Sequence, residues 1–124
     1  MIAVGLRIRL GIVTGVAIFS CLAGTSAQQT TTVRGEIVDL SCFMTAGGRG
    51  PEYERCARLG SQRKGISIGV VTDAGELLLL VNQSADRDPY EAAKQLAGAR
   101  AEVTGRAVRK GGVSSLIVES AAEQ

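Results

Sequence analysis

Five short strand-like segments separated by turn residues constrain this chain more than any other feature of its 124 residues. They fall at residues 33–40, 66–71, 76–81, 101–108 and 113–119. In the first, Val33, Gly35 and Ile37 share one face while Arg34 and Glu36 point the other way, and Gly35 predicts a bend. Residues 77–81 are apolar without alternation, which predicts cover on both faces. Asp73-Ala74-Gly75 is a turn between the second and third segments, and Lys110-Gly111-Gly112 a tight hairpin between the fourth and fifth.

Two stretches carry helix signals. Asp88 offers an N-cap carboxylate, with Pro89 at the first helical position and Glu91 at N3. The resulting helix, 89–97, sets Tyr90, Ala93 and Ala97 along one stripe and stops at Gly98. Residues 41–65 read as irregular, because Gly47-Gly48-Arg49-Gly50 rejects regular structure. Within them Pro51 opens a short helix, 51–59, that puts Tyr53, Cys56 and Gly60 on one face. The order β, loop with short helix, β, β, helix, β, β predicts an all-β domain with one or two short helices. Its expected architecture is a five-stranded OB-fold-like barrel. The rival is a ferredoxin-like α+β fold, which would use helix 51–59 as a full crossover and leave a fifth strand over.

The N-terminus has a different composition. Arg7 and Arg9 precede an uncharged apolar run of 15 residues, 10–24, and Thr25-Ser26-Ala27 supplies small residues where a signal peptidase reads. That run is shorter than the ~20 residues a membrane span needs. Residues 1–27 are therefore expected to be an export signal, 28–32 a disordered tail and 33–120 a single domain, periplasmic or secreted. Cys21 opens an alternative as a lipidation site, although Phe19 stands where a lipoprotein motif has a small residue. The membrane is an expected partner only in that case. The whole chain has 14 Lys and Arg against 12 Asp and Glu, and Arg7 and Arg9 account for the excess. A neutral exported domain has no long-range attraction for polyanions, which argues against nucleic acid as a partner.

Two cysteines, Cys42 and Cys56, remain after the signal. An even count in a small exported domain favours a disulfide. Closing the loop between them stabilises the fold by about 3 kcal/mol in the chain-entropy model.

The stretches G-E-I-V-D-L-S-C-F, G-G-R-G-P-E-Y-E-R-C-A, G-I-S-I-G-V and L-A-G-A-R-A-E-V-T-G-R-A-V-R-K-G-G resemble a family of small exported bacterial OB-like proteins of unsettled function. The family pattern has Asp-x-x-Cys after the first strand, then Gly-x-x-His-x-x-Cys-Ala-x-x-Cys, then Gly-x-Pro-x-Gly. Such a set implies a metal site or a redox centre, since thiolates and imidazole at helical spacing converge on one ion. Asp39 and Cys42 match the first element and Cys56-Ala57 the second. Tyr53 stands at the histidine, Gly60 at the third cysteine and Ser67 at the proline, and the chain has no histidine. A metal such as zinc or copper would have to be held by Cys42 and Cys56 with carboxylates such as Asp39 or Glu52. The alternatives for the two cysteines are a structural disulfide, which compartment favours, that metal site, or an exchangeable redox pair.

No complete catalytic set is present. Histidine-dependent hydrolysis is excluded, and Ser61, Lys64, Ser67, Ser84 and Lys94 lie in no supporting motif. Gly47–Gly50 with Arg49 could cradle an anion, but no Lys-Ser/Thr follows as in a phosphate loop. Arg34, Arg106, Arg109 and Lys110 read as a solvated barrel exterior. The second and third strands lack the aromatic residues on which OB-folds stack bases or sugars. Phe43 and Tyr53 lie in the cysteine segment, and Tyr90 belongs to the helix core. The expectation is a non-enzymatic binding or structural envelope protein without cofactor, its function carried by residues 41–60. The alternative is a metal-binding or thiol-redox protein using Cys42 and Cys56.

Overall fold

The computed structural model describes residues 29–47, 49–61, 65–83 and 85–124. The expected export signal with Cys21, and also Lys64 and Ser84, lie outside the described residues.

Strand β1 (Thr30–Asp39) is long because both its edges are used. Residues 30–36 pair antiparallel with β4 (Arg100–Lys110), and residues 35–39 pair antiparallel with β2 (Ile68–Thr72). It starts at Thr30, so Thr30, Thr31 and Thr32, expected as tail, pair with Arg106, Gly105 and Thr104. β2 pairs with β3 (Leu77–Val81), and β4 with β5 (Val113–Glu123), both antiparallel. β3 and β5 then run parallel, with Leu79, Leu80 and Val81 opposite Ser115, Leu116 and Ile117. The strand order β1-β2-β3-β5-β4 closes on itself as a barrel. This is the OB-like five-stranded barrel, and closure through β3 and β5 leaves no place for the flat sheet of the ferredoxin-like rival.

The alternation of side chains divides inside from outside. Ile37, Val70, Leu78, Leu80, Val103, Leu116 and Val118 fill the interior. In β3 the pattern is finer than full cover: Leu78 and Leu80 are buried, while Leu77 and Leu79 on the outer face are only half-buried. Curvature is obtained where strands touch. A Cβ on Gly35 would collide with the Val71 carbonyl oxygen, and one on Gly105 with the Ile117 carbonyl oxygen, beside a register shift at Thr104/Gly105.

Among the described residues there are three short α-helices and one 3-10 turn, more than the one or two helices expected. The additional one is α1 (Leu40–Ala46). Asp39 caps its start by accepting the Cys42 N–H, and Gly47, in the left-handed region at φ 64°, ends it. A 3-10 turn (Pro51–Tyr53) leads into α2 (Glu54–Ser61). α3 (Asp88–Gln95) joins β3 to β4. It starts one residue earlier than the sequence suggests, since the Asp86 carboxylate accepts the Asp88 N–H and Asp88 caps nothing. Ala57 of α2, with Ala93 and Ala97 of α3 and the turn after it, joins the barrel core. The two helices meet at Ser61, 1% exposed, whose Oγ lies 3.1 Å from the carbonyl oxygens of both Arg58 and Lys94.

Candidate functional site

Between β1 and β2 the chain makes its longest excursion, and three tethers fold it back on the barrel. The first is covalent: Cys42 in α1 and Cys56 in α2 form a disulfide, with Cα atoms 6.3 Å apart. The second is Glu36 on β1. Only 9% exposed, it accepts the Gly50 N–H at 2.6 Å and faces the Arg49 guanidinium at 3.8 Å. Gly50 and Arg49, considered above as an anion cradle, thus already hold the protein's own carboxylate. The third is Asp39, which caps α1.

The disulfide, Asp39 and Gly60 line one cavity of about 350 Å³, along with Thr45 and Leu59. Asp39, Cys42, Cys56 and Gly60 are thus brought together, while two other residues singled out in the sequence are not. Tyr53 does not line the cavity, and Glu52 is exposed and outside it. Each of the four residues weighed as metal ligands has another assignment. The two sulfurs are bonded to each other, Asp39 holds a backbone amide and Glu52 faces solvent. As they stand they do not form a donor set, and among the described residues no group of three or more Cys, His, Asp or Glu gathers for a metal.

A second site lies on the outer face of the barrel. In the OB architecture the face of strands 2 and 3, flanked by the β1–β2 and β4–β5 loops, is where ligands bind. Here Leu77 and Leu79 floor a groove of about 350 Å³, with Leu40 and Met44 from α1 on one side and Gly112 and Val113 from the β4–β5 hairpin on the other. Met44 is 71% exposed and Val113 49%. Every side chain in this lining is aliphatic or methionine except Ser114. The sequence reading missed this groove, having looked for aromatic residues and found none. Its signal was present in the unbroken Leu77–Val81 run, whose second face is covered only in part.

The remaining charges are dispersed. Arg34 pairs with Glu102 at 2.6 Å, Arg100 with Asp73, and Arg106 with Glu119 at 3.4 Å, each on the barrel surface. Exposed pairs of this kind contribute about 0–1 kcal/mol each. Among the described residues no helix is long and apolar enough to cross a membrane.

Fold and site together define an OB-like barrel with a disulfide-tied first loop and an aliphatic groove on its outer face. Compared with models of known protein families and with curated proteins, the chain matches none.

Proposed function

We propose that this chain is an exported binding module of the bacterial envelope, whose OB face takes an aliphatic segment of another polypeptide. The observation that carries the reading is the groove of Leu40, Met44, Leu77, Leu79 and Val113 at the position where this fold binds ligands. Its chemistry selects the partner class. Bases and sugars need stacking surfaces and polar edges, and nucleic acid needs cations; the groove supplies methyl and methylene groups. Burying such side chains against a partner is favourable by about 25 cal/mol per Å² of apolar area removed from water. Export is supported by Arg7, Arg9 and the apolar run after them, and by a disulfide, which persists in oxidising compartments. The disulfide serves the groove by stapling α1, which carries Leu40 and Met44, to α2.

Amide and methyl NMR titration of the protein with a leucine-rich peptide, a single-stranded oligonucleotide and an oligosaccharide tests this reading. The expected result is a set of shifts from the peptide alone, confined to Leu40, Met44, Leu77, Leu79 and Val113, and lost in Met44→Asp/Val113→Asp. Shifts on this face from the oligonucleotide or the sugar, with none from the peptide, would refute it.

A further inference from the structure

Asp39 has a feature that capping α1 leaves unexplained. Its side chain is 1% exposed, and Oδ1 accepts the Cys42 N–H at 2.9 Å, but Oδ2 is buried without a hydrogen-bond partner. A buried polar atom left unpaired is costly, and a charged one more so. The room that Oδ2 occupies is kept by Gly60, where a Cβ would collide with it. Among the described residues the cavity here offers no Lys or Arg to answer the carboxylate; it is lined instead by the two disulfide-bonded cysteines. In the oxidised protein neither sulfur carries a proton. Reduction would give Cys42 an S–H, a donor that Oδ2 now lacks.

The two halves of the bond also differ in access. Cys56 is an exposed residue, whereas Cys42 is 8% exposed. By residue exposure Cys56 is the half that an incoming thiolate would meet, with Cys42 as the departing sulfur.

We propose that Cys42–Cys56 is an exchangeable disulfide that oxidises exported thiols, with Cys56 as the attacked sulfur and Asp39 as the group that receives the Cys42 thiol. This goes beyond the binding role and does not depend on the apolar groove. In the first step a substrate thiol loses its proton and attacks Cys56 Sγ. A substrate–Cys56 bond forms, the Cys42–Cys56 bond breaks, and the electron pair leaves on Cys42 Sγ. The proton given up by the substrate returns, through Asp39 Oδ2, to that thiolate. In the second step another substrate thiolate attacks the substrate sulfur of the mixed disulfide. This releases Cys56 as a thiolate, which takes up the second proton. Two substrate thiols are oxidised to one disulfide, and Cys42 and Cys56 are reduced.

Reaction of the folded, oxidised protein with glutathione tests this, with acid quench, alkylation of free thiols and peptide mass mapping. The expected mixed disulfide is on Cys56, formed at a rate unaffected by sub-denaturing urea. Asp39→Asn keeps an oxygen for the Cys42 amide and is expected to slow the exchange about tenfold. The reduced-minus-oxidised infrared difference spectrum of the parent should contain a carboxyl band that Asp39→Asn lacks, a change that a purely structural role would not produce. Glutathione found on Cys42, or exchange only as fast as global unfolding, would overturn the proposal without any variant. An unchanged rate in Asp39→Asn, or no carboxyl band in the parent spectrum, would overturn the part assigned to Asp39.

Discussion

Gly35 and Gly105 hold the barrel's curvature at points where backbone meets backbone. Neither has positive φ, so the requirement is one of space: a methyl at either position strikes a carbonyl of the neighbouring strand. Gly105→Val is expected to destabilise by more than about 2 kcal/mol, measured by urea unfolding, although valine is the better strand former. Tyr90 gives a second test at this scale. Burial raises its phenol above the ordinary value, against a smaller opposing effect of the hydrogen bond with the Ile68 backbone. The unfolded chain therefore releases this proton first, near pH 10, while the folded chain keeps it. From about pH 10 upward the native state binds more protons than the unfolded one, so stability falls as pH rises through that range. Thermal melts across pH 8–11 should show this loss, and Tyr90→Phe should flatten the Tyr90 contribution to it. These residues were legible in part. A glycine inside a strand signals a bend and a tyrosine on a helix stripe signals core, but the backbone group each approaches belongs to another strand, a carbonyl for the two glycines and the Ile68 backbone for Tyr90.

The element that decides most is the β1–β2 excursion. Its two α-helices are short, and isolated helices of this length do not persist in water, so their order comes from tethers rather than propensity. The disulfide is the strongest of these. Cys42→Ser/Cys56→Ser is expected to lose about 3 kcal/mol, read as a lower denaturation midpoint. The helix expected at 51–59 was legible only in part: Pro51 opens a 3-10 turn, and α2 runs through Gly60, expected as its stop, to Ser61. α1 was not recognised, although Asp39 and Gly47 bracket it with a good N-cap and C-cap. The glycines that follow made the whole stretch read as irregular, because they reject helix where they stand and say nothing about the seven residues before them. α3 shows the opposite error. Asp88 has the sequence of a capping carboxylate, yet the N-cap is Arg87 with no side-chain cap; the Asp86 carboxylate accepts the Asp88 N–H in the turn that precedes the helix, and α3 ends at Gln95, short of Gly98.

At the scale of the molecule, stability rests on closure. Only three residues of β3 face β5, and Leu80 and Leu116, opposite each other and almost wholly buried, form the interior side of that seam. Leu116→Ala should cost about 2–5 kcal/mol. It is expected to lower the urea midpoint without changing the slope of the transition, since the surface exposed on unfolding stays the same. Strand number, turns, the helix before β4, most of the inward residues and the availability of one cysteine pair are legible in the sequence alone. Each of these is written in neighbours a few residues apart, through alternation, glycine and proline placement and cap chemistry. Tertiary structure alone decided that β3 and β5 close the ring in parallel, and that Leu40, Met44, Leu77, Leu79 and Val113 share one groove. It also decided that Asp39 lies with both cysteines, one oxygen unpaired. These depend on residues up to about seventy positions apart meeting in space, and a periodicity of two says which way a side chain points without saying what it will meet there.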